Sequence, residues 1–155
     1  MGFTLFKFLH VLTMFAAVAG AVIPEVVLHR VAASGNVSAI RVLAGIAAGI
    51  GKVLPVLFIG GAAFGLLAAL TGEMDFLKPW LIAAYVVFVI AMITGATTTG
   101  PWAERMHAAS LAAGNDEPSP ELVATMHDRR AYLGSILLMG AIVVIIFLMV
   151  VKPGN

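Results

Sequence analysis

Apolar positions along this chain cluster in four long segments, near residues 5–27, 53–71, 80–99 and 131–151. Each segment is about long enough to cross the roughly 30 Å hydrocarbon core of a bilayer as an α-helix, because a helix needs about 20 residues to do so. Charged residues are scarce within the segments and collect between them. The pattern therefore predicts an integral membrane protein in contact with the lipid bilayer.

Turn-forming residues extend the helices beyond the apolar segments. Ser34-Gly35-Asn36 indicates a tight turn, and Ser119-Pro120 provides an N-cap and a first helical residue. We predict an all-α protein, a four-transmembrane-helix up-down bundle that forms one domain over residues 1–155, with helices at about 3–33, 37–71, 76–113 and 120–151. Such helices are about 48–57 Å long, so the bundle should project some 15–20 Å beyond one membrane face.

Composition supports the membrane assignment and excludes other classes. Hydrophobic residues make up 61% of the chain and charged residues 11%, with a mean hydropathy of +1.06, which is too apolar for a water-soluble surface. The net charge of +1 comes from scattered residues, so no nucleic-acid partner is expected. The chain has no cysteine, which excludes disulfides, thiolate metal sites and thiol nucleophiles.

Basic residues near the predicted membrane ends give an orientation. They are more numerous on the projecting side, with Arg30, Arg41, Lys52, Arg105, Arg129 and Arg130 there against Lys7, Lys78 and Lys152 on the other side. Lysine and arginine favour the cytoplasmic side of a membrane. We therefore predict a multi-pass protein of the bacterial inner (cytoplasmic) membrane, with both termini outside and the loops near 34–36 and 114–119 in the cytoplasm.

Small and aromatic residues suggest how the helices meet each other and the membrane. Gly45-x3-Gly49 and Gly61-x3-Gly65 are typical of close helix contacts, either within the bundle or between copies of the chain. Trp80 and Trp102 bracket the third helix, which predicts that they lie in the aromatic belts at the two membrane interfaces.

His10 is the candidate cofactor-binding residue. It lies about 10–12 Å in from the outer end of helix 1, inside the hydrocarbon region, where ionisable residues are costly and often functional. The same counting places no second histidine at its level, which disfavours a bis-histidine haem, although haem or a transition metal could still use His10. The alternative is a neutral imidazole hydrogen-bonded to Tyr85, a backbone carbonyl or a water.

A second polar layer is predicted about 28–42 Å from the outer ends of the helices. Glu25-x3-His29 puts an acid and an imidazole on one helix face, and Glu104-x2-His107 has the spacing of carboxylate-bridged metal sites in helical bundles. The candidate metal ligands are Glu25, His29, Glu104, His107 and His127. A salt-bridge network, such as Glu25 with Arg129 and Asp128 with Lys52, would explain the same residues without a metal, and so would a surface for another subunit or for anionic lipid.

The chain resembles a widespread group of predicted bacterial integral membrane proteins of unknown function. The resemblance rests on Phe-Lys-Phe-Leu-His at 6–10, His-Arg-Val-Ala-Ala-Ser-Gly-Asn at 29–36, Lys52 before Pro55, and Gly-Pro-Trp-Ala-Glu-Arg at 100–105. The resemblance implies four helices and a location in a bacterial inner membrane, but it does not imply any particular activity. More distantly, Lys7-x2-His10 is similar to the start of the short membrane protoporphyrinogen oxidases and copper-resistance membrane proteins, which implies a link between His10 and haem, porphyrin or copper.

Two functional hypotheses follow from the sequence. The first is a non-catalytic accessory subunit or assembly factor that packs against other membrane protein subunits or forms a homo-oligomer, because no catalytic constellation is present. The second is a small redox or porphyrin-handling protein that binds haem or a metal through His10 or through the His/Glu layer. A small multidrug-type exporter matches in helix count but would need an acidic residue in mid-membrane, which the pattern does not provide.

Overall fold

The computed structural model describes residues 1–114 and 117–154 and confirms the all-helical bundle. Its elements are α1 (Gly2–Ser34), α2 (Val37–Thr71), α3 (Pro79–Thr94), a π-helical segment (Gly95–Thr99), α4 (Gly100–Ala112), α5 (Pro120–Met126) and α6 (Arg129–Val151). The π segment joins α3 and α4, and α5 leads into α6. The chain thus has four helical stretches that are each long and apolar enough to cross a membrane, as an integral membrane protein requires.

Two turns lie where the sequence predicts them, and local side-chain bonds explain why. Gly35 ends α1 with a φ of 68°, a left-handed conformation that glycine adopts without steric cost. The Asn36 side chain then accepts a hydrogen bond from the Ala39 amide at 2.9 Å and starts α2. Ser119 caps α5 in the same way through the Leu122 amide. Part of the predicted break at 114–118 lies outside the described residues, at positions 115 and 116.

Two helix boundaries differ from the prediction. The third helix begins at Pro79 rather than near 76, because Asp75 accepts a hydrogen bond from the Leu77 amide and holds a turn before it. The fourth helix is interrupted between Met126 and Arg129. There the Asp128 backbone is extended, and its carboxylate accepts hydrogen bonds from the amides of Arg130 and Ala131, so Asp128 caps a new helix.

The helices associate as two pairs that are joined at one end. Close packing runs between α1 and α2 and between α3 and α6, while α4 and α5 connect the pairs at the end opposite the termini. Around Trp102, α1, α2, α4, α5 and α6 contribute to one buried core. We call this end of the bundle, which holds the buried core around Trp102, the inner end. A smaller cluster around Trp80 joins the outer parts of α3 and α6 with Met74 and Phe76 of the segment before α3.

The aromatic-belt prediction is wrong for Trp102. Its side chain is 0% exposed, and its indole N–H donates a hydrogen bond to the Thr125 carbonyl at 2.9 Å. Trp80 is buried as well, at 3% exposure, against α6. Both rings therefore fill gaps between helices, because a large side chain on the inward face of a long helix buries more apolar area there than at a membrane surface.

Glycines permit the closest contacts between helices. Gly61 packs against Met14, Gly65 against His10, and Gly45 against His107, so both glycine motifs contribute to packing within the bundle. The π segment uses Gly134 of α6 in the same way, because the Thr98 side chain lies over it. Thr98 itself bonds back to the Thr94 carbonyl at 2.5 Å. Small residues at these points let backbones approach where no hydrophobic effect drives association.

Replacing Gly134 tests this packing. A Cβ at Gly134 would lie 2.9 Å from the Thr98 Cβ, so we expect Gly134→Ala to destabilise the bundle by about 1–3 kcal/mol. Gly140→Ala is the matched control on α6, because a Cβ there has no atom within 4 Å. The free energy of unfolding in mixed micelles, followed by circular dichroism, should fall only for Gly134→Ala. Equal effects of the two substitutions would contradict the packing described.

Candidate functional site

His10 lies in the contact between α1 and α2 and is partly buried. Its Nδ1 is 2.7 Å from the Gly61 carbonyl oxygen, so the imidazole donates from Nδ1 in its neutral form. Gly65 makes room for the ring, since a Cβ there would lie 2.8 Å from Nδ1. Of the hydrogen-bond partners open to His10, the structure thus shows a backbone carbonyl. Nε2 then carries the lone pair, and within the described residues no side chain occupies it.

Glu25, His29 and Ser135 form a second site between α1 and α6. Glu25 is 9% exposed, and the Ser135 hydroxyl donates a short hydrogen bond to its Oε1. His29 Nε2 is 2.9 Å from Ser135 Oγ and 3.4 Å from Glu25 Oε1. Glu25 and His29 are four residues apart on α1, so the helix repeat brings them to one face, and the inward-facing Ser135 bridges them.

Proton placement in this cluster has two arrangements. The Ser135 hydroxyl has one proton, yet it lies within hydrogen-bond distance of both Glu25 and the Ala131 carbonyl, which is 2.9 Å away. With Glu25 ionised, Ser135 donates to the carboxylate. With Glu25 protonated, the carboxyl donates to Ser135, which then donates to Ala131. His29 donates to Ser135 from Nε2 in either case. Glu25, Ser135 and His29 are therefore linked by hydrogen bonds in both arrangements, whereas the bond from Ser135 to the Ala131 carbonyl forms in one of them.

Aromatic rings fix the His29 imidazole. Trp102 of α4 stacks on it with ring centroids 4.3 Å apart and an interplanar angle of 19°. Tyr132 of α6 meets it edge-on, with centroids 6.2 Å apart. Because Trp102 is itself held by its bond to Thr125, the imidazole has little rotational freedom. The site is therefore preorganised by three helices, although its polar groups come from two.

A groove of about 370 Å³ opens beside this cluster between α1 and α6. Besides Glu25, His29 and Ser135, it is lined by Val26, Arg30, Tyr132, Ile136 and Met139. Its size falls in the range of small-molecule sites, and its few polar groups converge on a largely apolar wall, as such sites require.

The other predicted metal ligands lie apart from this pair. Glu104 is exposed, His107 packs on Gly45, and exposed His127 bonds the Val123 carbonyl from Nδ1 at 2.9 Å. Across the described parts of the chain, no three histidine, aspartate or glutamate residues are placed to hold a metal ion. Of the five predicted ligands, the structure brings together Glu25 and His29.

Asp128 and Glu25 have other partners in the structure than the salt bridges that the sequence predicts. Asp128 pairs with Arg105, whose Nη2 lies 2.9 Å from Oδ2, rather than with Lys52. Glu25 has Ser135 and His29 as neighbours rather than Arg129. The reason is the break in the fourth helix, which turns Asp128 toward α4 as a helix cap. Within the described residues, the inner end of the bundle thus contains the ion pair of Arg105 with Asp128 and the buried hydrogen-bonded cluster around Glu25.

Three residues of the site were not predicted from the sequence to belong to it. Ser135 is an isolated serine in an apolar helix, Tyr132 precedes it by three residues, and Trp102 was assigned to the membrane interface. A polar residue within a long apolar run was the available signal for Ser135, since such residues usually find a partner across the bundle. The partner itself depends on the register between α1 and α6.

Comparison with known proteins adds no relative: no protein-family model, curated protein or solved structure matches this chain. The resemblance of its motifs to bacterial four-helix membrane proteins therefore stays a prediction.

Removing the bridging hydroxyl tests the cluster. We expect Ser135→Ala to lower the free energy of unfolding by about 1–3 kcal/mol, because Glu25 loses its buried partner. Ser110→Ala is the matched control. Ser110 is fully buried, but its hydroxyl bonds only the His107 carbonyl of its own helix at 2.7 Å, so its loss should cost less than about 1 kcal/mol. Detergent-induced unfolding of both variants measures the difference, and equal losses would show that Ser135 is not a bridge.

Proposed function

We propose that this chain is a non-catalytic accessory subunit or assembly factor of a larger membrane complex. The observation that carries the proposal is the division of the bundle into two helix pairs, α1 with α2 and α3 with α6, which are joined mainly at the inner end. The outer halves of the pairs touch through the rings of Phe58 on α2 and Phe88 on α3, and much of their remaining apolar surface is exposed and available to other helices.

The surface of the chain supports this proposal. In the most apolar window of each of the four stretches, at most 28% of the residues are buried within the chain. Lipid can cover large aliphatic side chains, but exposed glycines are typical of helix–helix contacts in membranes. A Cβ added at Gly49 or Gly60 on α2, or at Gly140 on α6, would have no atom within 4 Å. A partner helix could approach closely at these points.

Filling an outer glycine tests the accessory role. The tagged chain is extracted from its native membrane in mild detergent, and the mass of the complex is compared with the 16.1 kDa of one chain. We expect associated subunits, and we expect Gly60→Leu to weaken their binding about tenfold, a loss of about 1.4 kcal/mol. Val56→Leu, at a 70% exposed position on the same helix, is the control and should retain them. A single unassociated chain in every mild detergent would overturn the proposal.

A second function is favoured by the geometry of His10, namely binding of haem or a transition metal. Imidazoles that bind metals commonly donate their other ring N–H to a carbonyl or carboxylate, which fixes the tautomer and increases the basicity of the ligating nitrogen. The bond from Nδ1 to Gly61 has this form and leaves Nε2 as the ligating atom. Because no second histidine lies nearby at this level, such a cofactor would have His10 as its one histidine ligand from this chain.

The same extracted sample distinguishes the two functions. An accessory subunit should be colourless and metal-free, whereas a His10 site predicts a Soret band that shifts on reduction, or about one metal ion per chain. His10→Ala should abolish that signal. Gly65→Ala should weaken it, because its Cβ would displace the imidazole, and Gly60→Ala should leave it unchanged, since its Cβ position is open. A colourless, metal-free sample would rule out the His10 function and would not bear against the accessory role.

The membrane and the orientation are part of this proposal. The excess of basic residues at the inner end supports a bacterial cytoplasmic membrane with both termini outside. Because the chain has no cysteine of its own, a single introduced cysteine can report on which side of the membrane its position lies. A cysteine replacing Lys152 should react with a membrane-impermeant maleimide in intact cells from which any outer membrane barrier has been removed, while one replacing Ser34 should react only after lysis. The reverse pattern would invert the topology.

A further inference from the structure

The groove between α1 and α6 has a polar end and an apolar end. Its polar end contains Arg30 and Tyr132, and its apolar end is formed by Val26, Ile136 and Met139. Residues 8–24 and 136–151, which continue from the apolar end toward the termini, contain no lysine, arginine, aspartate or glutamate. A molecule lying in the groove would therefore place a polar head at the inner end and an apolar tail along the membrane-spanning parts of both helices.

The polar wall of the groove offers hydrogen bonds in both directions. Within the described residues, His29 Nδ1 and the second carboxylate oxygen of Glu25 carry no hydrogen bond, because the cluster uses only Nε2 and Oε1. Arg30 adds a guanidinium donor at the rim. An anionic head would face the carboxyl group of Glu25, and a cationic head would face the guanidinium of Arg30, so neither charge matches both side chains. A neutral head that both donates and accepts hydrogen bonds matches all three groups.

The wall is also aromatic and rigid. Trp102 and His29 form a stack, and Tyr132 stands perpendicular to His29 beside the groove. Flat rings suit such a surface, since offset and edge-to-face contacts stabilise aromatic pairs by about 0.5–1.5 kcal/mol beyond the area they bury. The volume of about 370 Å³ is large enough for one substituted ring.

We propose that this groove binds a membrane-soluble quinone or quinol, a neutral ring that carries carbonyl or hydroxyl oxygens on an apolar tail. A ring carbonyl accepts a hydrogen bond from Arg30, and a ring hydroxyl donates to Glu25 or to Nδ1 of His29. The tail follows Val26, Ile136 and Met139 into the bilayer. This site is separate from His10, and it can exist whether or not the chain assembles with other subunits.

Fluorescence of Trp102 gives a direct test. Trp80→Phe leaves Trp102 as the one tryptophan, and Trp102 is fully buried behind His29, so a quinone dissolved in lipid reaches it poorly. The protein is placed in phosphatidylcholine nanodiscs and titrated with decylubiquinone. We expect saturable quenching. Val26→Phe should fill the groove and weaken apparent affinity about tenfold or more. Val27→Phe, the adjacent position that does not line the groove, should stay within about twofold of the parent.

A competitor separates ring recognition from tail binding. 1-Decanol has a tail of similar length and a hydroxyl but no ring, so an equal concentration should leave the quenching by decylubiquinone unchanged. Glu25→Gln, which keeps the size of the side chain but replaces a carboxylate oxygen with an amide, should weaken quinol binding more than quinone binding. The proposal is overturned by linear quenching that is equal in Val26→Phe and Val27→Phe, by absence of quenching, or by equal displacement with decanol.

Discussion

The constraint on which this structure depends is that a polar group in hydrocarbon has no water to bond. Long helices satisfy the backbone. The few polar side chains must then find partners inside the bundle, and several do so in different ways, although the Trp80 indole N–H is buried without a hydrogen-bond partner among the described residues. His10 uses the backbone carbonyl of a glycine, Glu25 uses a hydroxyl from another helix, and Thr97 and Thr98 of the π segment bond back to carbonyls one turn earlier. These local solutions fix which faces of the helices can meet.

Packing in the bundle is correspondingly uneven. Large side chains such as Trp102, Leu28 and Met106 fill the inner end, where five helical elements converge. Nearer the termini, small residues bring α1 close to α2, and the α3–α6 pair has its own cluster around Trp80. The Glu25 cluster lies where these two regions meet and links α1 to α6.

The two histidine sites differ in what they can do chemically. His10 presents a single imidazole with a fixed tautomer, which suits a ligand that needs one nitrogen donor. Glu25, Ser135 and His29 are linked by hydrogen bonds and line an amphipathic groove. The interruption at Asp128 matters to both the fold and this cluster, because it sets the start of α6 and with it the positions of Tyr132 and Ser135.

The sequence by itself determined the four helical stretches, their lengths and most of their ends. Apolar runs of bilayer length, a glycine that adopts positive φ at 35 and capping residues at 36 and 119 act locally, so they can be read without tertiary structure. It also brought Glu25 and His29 to one face, because their spacing equals about one helical turn. Only the tertiary structure decided their partners. Ser135, Trp102 and Tyr132 reach His29 through the relative rotation and height of α1, α4 and α6. Helix rise places a residue along an axis to within a turn, whereas a hydrogen bond requires atoms to lie within a fraction of an ångström of their ideal separation.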